Sequence, residues 1–471
     1  MTEPGHETEI ERDEAARSRD VYGLDSDLVE AVEEALDRGD GEGVRALIEP
    51  LHDADIADLL QSLDADERRE FVGMIRAEFR PGILVELDER VRDEVVDQLG
   101  PVETAAAVAE LDTDDALDVI AELDEEEQQQ ILGAIPAADR TLIEQGLAYP
   151  EDSAGRLMQR ELVAVPSFWT VGDTIDHLRK SADESPDDLP SDFYDIFVVD
   201  PGHRPVGAIP LSHLLRARRP VPLTDLMATE MKVIGANTDQ EEVAFLFRQR
   251  DLTSAPVVDD GGRLVGVITI DDVVDVIDEE LEDDMMRLGG VREDDLYSAA
   301  METARSRFGW LLVNLGTAIL ASLVIGAFDA TIEQMVALAV LMPIVASMGG
   351  NAGTQTLTVA VRALATKELT AGNALRVIGK ELMVGGVNGV LFAVIAAGVA
   401  WFWFGSVAIA VVLGLAMIIN LVVAAVAGAS IPLMLERVHV DPAVASGVFL
   451  TTITDVVGFF AFLGLAAWFL M

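Results

Sequence analysis

The last third of the chain carries five apolar stretches, near residues 308–328, 334–362, 382–404, 407–432 and 443–470. Each meets or exceeds the ~20 residues that a helix needs to cross the hydrocarbon core of a bilayer. Arg305 and Arg307 precede the first stretch, Arg362, Lys367, Arg376 and Lys380 lie between the second and third, and Arg437 lies between the fourth and fifth. The loops around Asp329 and Gly405-Ser406 hold neither Lys nor Arg. Basic residues favour the cytoplasmic side, so residues 1–300 are expected inside a cell membrane and the C-terminus outside. The opening MTEPGHETEIERDEAARSRD has no basic start and no apolar core, so it does not read as a signal peptide.

Charge divides the chain at the same point. Residues 1–300 hold 75 acidic and 26 basic side chains, which is nearly all of the net charge of −50. Nucleic acid is excluded as a partner, because its binding rests on Lys and Arg neutralising phosphates. There is no cysteine, so disulfides and thiolate metal sites are excluded as well.

Residues 1–20 are polar and read as a disordered tail. Over 21–150 apolar residues recur at three- and four-residue spacing, as in Ile56, Leu59, Leu60 and Leu63, or Val95, Val96 and Leu99. AAAVAELDTDD and ALDVIAELDEEE share an A-E-L-D signal with Leu111 and Leu123 twelve residues apart, which predicts short helices stacked as a superhelix. Over 151–282 the apolar period becomes two and a unit of strand, turn, strand and helix occurs twice. Val198-Val199-Asp200 matches Val257-Val258-Asp259, and Val206-Gly207 matches Val265-Gly266. Both copies share a lead-in, Gly155-Arg156-Leu157-Met158 and Thr224-Asp225-Leu226-Met227, and the first adds a polar loop, ADESPDDLPS. This tandem resembles a pair of CBS domains, α/β modules that commonly sense small ligands.

Asp455, in TTITDVVGFF, falls near the middle of the fifth stretch, with no basic residue at similar depth. A carboxylate there costs ~2.5–3.5 kcal/mol on insertion scales, so it faces a partner helix as a protonated acid or an ion path as a ligand. In the second stretch, MPIVASMGGNAGTQTLTVAVR, Pro343, Gly349, Gly350 and Gly353 either loosen a helix whose freed carbonyls join Asn351, Thr354 and Gln355 along a path, or let helices pack closely. A hard, hydrated divalent cation such as magnesium takes one or two carboxylates. Zinc would want His or Cys, and all six histidines lie outside the apolar stretches. No H-E-x-x-H motif is present, and nothing beside Asp455 offers a base or nucleophile, so an enzyme is not expected.

PIVASMGGNAGTQTLTVAVRALATKEL and DPAVASGVFLTTITDVVG, with the acidic helical N-domain and the CBS tandem before them, make the chain similar to the MgtE family of magnesium channels. The resemblance implies a multidomain fold: an all-α N-domain (21–150), α/β tandem CBS domains (151–282), a connecting helix (283–305) and an all-α five-helix transmembrane domain (306–471). It implies a homodimer in the lipid bilayer that holds hydrated magnesium at Asp455, with Gly349, Gly350, Asn351, Gly353 and Gln355 along the path. It further implies that regulatory magnesium binds at Asp239, Glu241, Asp251, Asp272, Asp275, Glu280, Asp283 and Asp284, drawing the connecting helix against the spans until the ion leaves. An adenosine nucleotide at the CBS pair is a further partner that the resemblance admits. The alternatives are a CBS-regulated membrane nucleotide sensor and a channel for another ion such as chloride; a lone mid-span Asp disfavours an anion path.

Overall fold

The computed structural model describes residues 24, 26–184, 189–190, 193–291, 300–438 and 440–470, so the expected tail and residues 185–188 and 191 of the polar loop lie outside it. The chain forms two compact units, residues 1–278 and 279–471.

The first unit begins as a run of short helices from Ser26–Asp37 to Ala137–Leu147. The twelve-residue beat seen at Leu111 and Leu123 extends through Leu63, Ile75, Leu87, Leu99 and Ile135, all buried in one core apart from the half-buried Leu111. Twelve residues make one short helix and its turn, so each beat returns an apolar side chain to the same side of the stack. A second device closes the turns. Arg68 donates to the carbonyls of Leu60 and Leu63, Arg92 to those of Val85 and Leu87, and Arg140 to those of Gly133 and Ile135. Each arginine thus satisfies carbonyls left open where the preceding helix ends. Arg92 is 5% exposed and also pairs with Asp118 at 3.2 Å and Glu122 at 2.7 Å. Arg92→Met is expected to destabilise this unit by about 2–3 kcal/mol, the worth of charge-assisted bonds lost to buried carbonyls, read as a lowered unfolding midpoint.

The CBS tandem builds two three-stranded sheets of the same topology. Strands β1 (Ala164–Pro166), β2 (Asp195–Val199) and β3 (Pro205–Pro210) lie in that order, the first pair parallel and the second antiparallel. Strands β4 (Ile234–Gly235), β5 (Ser254–Val258) and β6 (Leu264–Thr269) repeat the pattern, with the register shift at the matching place, Val198/Val199 and Val257/Val258. Helices α1 (Val171–Glu184), α2 (Leu211–Arg216), α3 (Gln240–Arg250) and α4 (Ile270–Gly289) complete the tandem. The shared lead-ins have a packing reason. A Cβ at Gly207 would lie 2.6 Å from the Met227 sulfur, and one at Gly266 2.6 Å from the Met158 sulfur. Each copy's lead-in methionine therefore sits on the other copy's strand glycine, which interlocks the pair.

In the second unit, α5 (Ala300–Gly326), α6 (Asp329–Gln334), α7 (Ala337–Ala365), α8 (Ala374–Phe404), α9 (Val407–Arg437) and α10 (Pro442–Leu470) follow the residues 279–289 that end α4. Five of these helices are long and apolar enough to cross a membrane, matching the five stretches in the sequence. The expected connecting helix at 283–305 falls on the end of α4, on residues 292–299, which lie outside the described set, and on the start of α5. Helix α7 runs unbroken through Pro343 and its glycines, so the loosened backbone considered for the second stretch is not seen. Helix α9 is the hub: 56% of its most apolar window is buried in the fold, against 6% for α5.

Candidate functional site

Asp455 is half-buried on α10, in a segment rich in hydroxyl groups. Those hydroxyls are satisfied within their own helix: Thr451 donates to the Gly447 carbonyl at 2.8 Å, Thr452 to Val448 at 2.7 Å and Thr454 to Thr451 at 3.0 Å. Such back-bonding removes them as partners for the carboxylate. No ion pair or hydrogen bond joins Asp455 to any described residue. A carboxylate inside a span with no internal partner is poised to face something outside the single chain.

The two faces of α7 divide the residues expected along a path. Gly349 and Gly353 face inward and serve close packing: a Cβ at Gly353 would lie 2.8 Å from the Leu450 side chain of α10. From α9, a Cβ at Gly428 would lie 2.7 Å from the Gly353 carbonyl. Asn351 and Gln355 instead lie on an exposed face with Thr354 and Thr358, while Gly350 has open space beside it. Thr354 and Thr358 are satisfied within the helix, donating to the Gly350 and Thr354 carbonyls, which leaves the amides of Asn351 and Gln355 as the polar groups that favour a covering partner on this face.

Two polar contacts fall on residues to which the sequence pattern draws no attention. Thr356 donates to the Glu381 carboxylate of α8 at 3.1 Å, and Asn420 of α9 donates to the Val345 carbonyl of α7 at 2.8 Å. The only signal for Asn420 is a lone amide in an otherwise apolar helix.

In the first unit, two acidic helix starts meet. Helix Thr113–Ala121 carries Asp114, Asp115 and Asp118 with Asp112 at its N-cap position, and α4 carries Asp271, Asp272 and Asp275. The first helix is held in place by Glu161 from the CBS lead-in, which accepts from the Thr113 amide at 3.2 Å and hydroxyl at 2.6 Å. Burial, then the Asp272 and Asp112 charges, pushes Asp115 up to about 7. Burial, then Asp271 and Asp275, pushes Asp272 up to about 6, against the opposing hydrogen bonds it accepts from Thr269. Asp114, Asp112, Asp275 and Glu86 rise for the same reason, burial first and then like charge. Glu86, Asp112, Asp114, Asp115 and Asp118 escape a sequence reading because about one residue in four of this region is acidic and only the fold shows which face each other.

The other acids sit elsewhere. Asp239 caps the N-terminus of α3, accepting from the Glu241 amide, while Asp251 ends that helix at φ 52°, about 18 Å away along its axis. Asp283 pairs with Arg287, which also reaches Asp441 at the start of α10 at 2.8 Å. Glu280 lies one turn before Asp283, and the Asp284 side chain lies outside the described set. Among the described residues no three His, Asp or Glu side chains converge on one point. The donor set is nonetheless one of hard carboxylate oxygens, which suits magnesium, an ion that keeps several waters and takes one or two carboxylates. A cleft between the two CBS copies is lined by Glu161, Phe193, Tyr194, Asp195, Ser254 and Thr269, among others.

Comparison with known proteins covers most of the chain. Residues 342–465 match a family described as a divalent cation transporter, MgtE, residues 51–152 match the MgtE intracellular N domain, and residues 223–279 match a CBS domain. A magnesium transporter MgtE of Thermus thermophilus is 32% identical over 94% of this chain and 98% of its own length. The magnesium transporter MgtE of Bacillus subtilis is 29% identical over 90% of this chain and 94% of its own. The crystal structure of the cytosolic domain of the Mg2+ channel MgtE in complex with ATP is 31% identical, covering 53% of this chain and 99% of that one, with a TM-score of 0.49.

Proposed function

The chain belongs to the MgtE family of divalent cation transporters, and from that membership we propose that it passes magnesium across the cell membrane at Asp455 and is closed by magnesium bound to its N-terminal acids. The observation that carries the pore assignment is a mid-span carboxylate without a partner among the described residues. The exposed amides of Asn351 and Gln355 on the outward face support a second copy of the chain as the covering partner. Two Asp455 carboxylates facing one axis would present a charge of −2 to a divalent ion, strong enough to draw it in and weak enough to release it. Gly349 and Gly353 act by letting α7, α9 and α10 approach, and Asn351 and Gln355 offer oxygens to the ion's waters.

For the gate, the facing pair of Asp114 and Asp115 with Asp272 and Asp275 is the strongest candidate in the first unit. Glu280 and Asp283 continue the acidic run of α4, with Asp284 next in sequence, and Asp239, Glu241 and Asp251 form separate positions at and on α3. Magnesium here is a regulator as well as cargo. An adenosine nucleotide is a further ligand proposed for the CBS pair, whose two copies meet at the cleft beside Phe193 and Tyr194; the Glu161 and Asp195 carboxylates there already accept from Thr113 and Ser254. With basic loops on the cytoplasmic side, residues 1–300 face the cell interior.

Magnesium uptake into liposomes holding the purified chain, with trapped magnesium chelated, tests this reading. Uptake that stops as free magnesium on the side of the N-terminal unit rises is the expected result. Absence of uptake under chelation would remove the transport assignment and leave the CBS pair as a sensor.

A further inference from the structure

Asn420 lies at the centre of the hub helix α9 and is 0% exposed. Its amide nitrogen donates to the Val345 carbonyl of α7 at 2.8 Å, whereas its oxygen Oδ1 has no partner among the described residues. A buried, unpartnered oxygen is a standing cost that an aliphatic residue would not carry, so its presence calls for a role. Two glycines make room for the amide. A Cβ at Gly349 of α7 would collide with it, and one at Gly458 of α10 would lie 2.8 Å from its nitrogen. Gly349 opens the glycine segment that leads to Asn351, and Gly458 is one turn beyond Asp455. A single side chain therefore touches both elements between which an ion path at Asp455 would be set.

We propose that Asn420 is a positioning residue of the ion path: its amide wedges between Gly349 and Gly458, fixes the distance between α7 and the Asp455 turn of α10, and through that distance selects hydrated magnesium over calcium. The inference rests on Asp455 being the pore ligand. The selectivity follows from the chemistry of the two ions. Magnesium dehydrates reluctantly and so needs a path of fixed width, while the larger calcium accepts a varied ligand shell and tolerates a changed width. The Val345 bond holds the amide in one orientation, and the glycines transmit its size to both helices.

The test is magnesium and calcium uptake, side by side, into liposomes holding the full chain. The variants are Asn420→Leu, Gly458→Ala and the double variant Asn420→Ala with Gly458→Ala. Asn420→Leu and Gly458→Ala are each expected to raise the calcium-to-magnesium uptake ratio about tenfold, the discrimination that one methyl group commonly carries. The double variant, which moves bulk from one side of the contact to the other, is expected to return the ratio most of the way to wild type. A folded Asn420→Leu protein with an unchanged ratio overturns the proposal. If that variant fails to assemble, Gly458→Ala decides with the double variant, and failure of the second change to correct the first overturns it equally. Asp455→Asn run in parallel separates the two claims: magnesium uptake surviving in that protein removes the pore assignment itself, whereas its loss with unaltered ratios in the Asn420 and Gly458 variants removes only the role of Asn420.

Discussion

Asp455→Asn is expected to cut magnesium uptake by at least about a hundredfold while leaving the protein folded and inserted. The substitution keeps size and hydrogen-bonding capacity and removes only charge. A unit charge ~4 Å from another at the effective dielectric of a partly hydrated site is worth about 4 kcal/mol, and a divalent ion loses this contact twice if two copies meet at the site. The threonines around Asp455 cannot compensate, because Thr451, Thr452 and Thr454 already donate to carbonyls of their own helix. Asp455→Glu, which restores the charge on a longer stem, is expected to recover part of the flux, since a hydrated ion is held through water and tolerates some displacement. Radiotracer or dye-reported uptake at matched protein density reads both. Near-normal flux in the Asn protein would mean that the carboxylate is a structural acid and that the path lies elsewhere.

How legible this arrangement is in the sequence depends on the range of the interaction that makes it. The five spans, the CBS repeat and the twelve-residue beat rest on local periodicity, and all three are present in the structure. Asp455 stands out because one carboxylate among apolar residues is improbable on any other ground. Pro343 and Gly349 read equally as helix breakers or packing surfaces, and only the neighbour decides: Asn420 fills the space at Gly349, and the helix stays continuous. The Arg68, Arg92 and Arg140 staples each reach the carbonyl five residues back, yet in a chain this acidic an arginine first reads as one half of a surface ion pair. The facing acids are the least legible, because their meaning lies in which of many carboxylates are brought together by the fold of residues 1–278.

Those facing acids should make the first unit's response to magnesium depend on pH. Burial, then the charges of Asp272 and Asp112, raises Asp115 from the ordinary carboxylate value near 3.8 to about 7, and burial, then Asp271 and Asp275, raises Asp272 to about 6. A group whose value is raised in the apposed state favours that state fully below its ordinary value and loses the contribution as pH rises through its raised value. Contact between helix Thr113–Ala121 and α4 should therefore form without magnesium near pH 5, weaken between about pH 6 and pH 7, and need the cation above that. The cysteine-free chain allows a fluorophore pair at the exposed Gln129 and Gln249, one on each side of the contact. Adding magnesium at pH 8 should shorten the distance between them, and the same addition at pH 5.5 should change little. Asp115→Asn combined with Asp272→Asn removes the two most strongly raised carboxylates and so weakens both the repulsion and the ligand set, so the pair should stay closer and respond less to magnesium at either pH. In liposomes the same double variant should hold uptake low even when magnesium is chelated, because the closing contact no longer needs the ion. A double variant that still opens and closes with magnesium as the wild type does would place the regulatory ion at other carboxylates, with the α3 positions Asp239, Glu241 and Asp251 next in line.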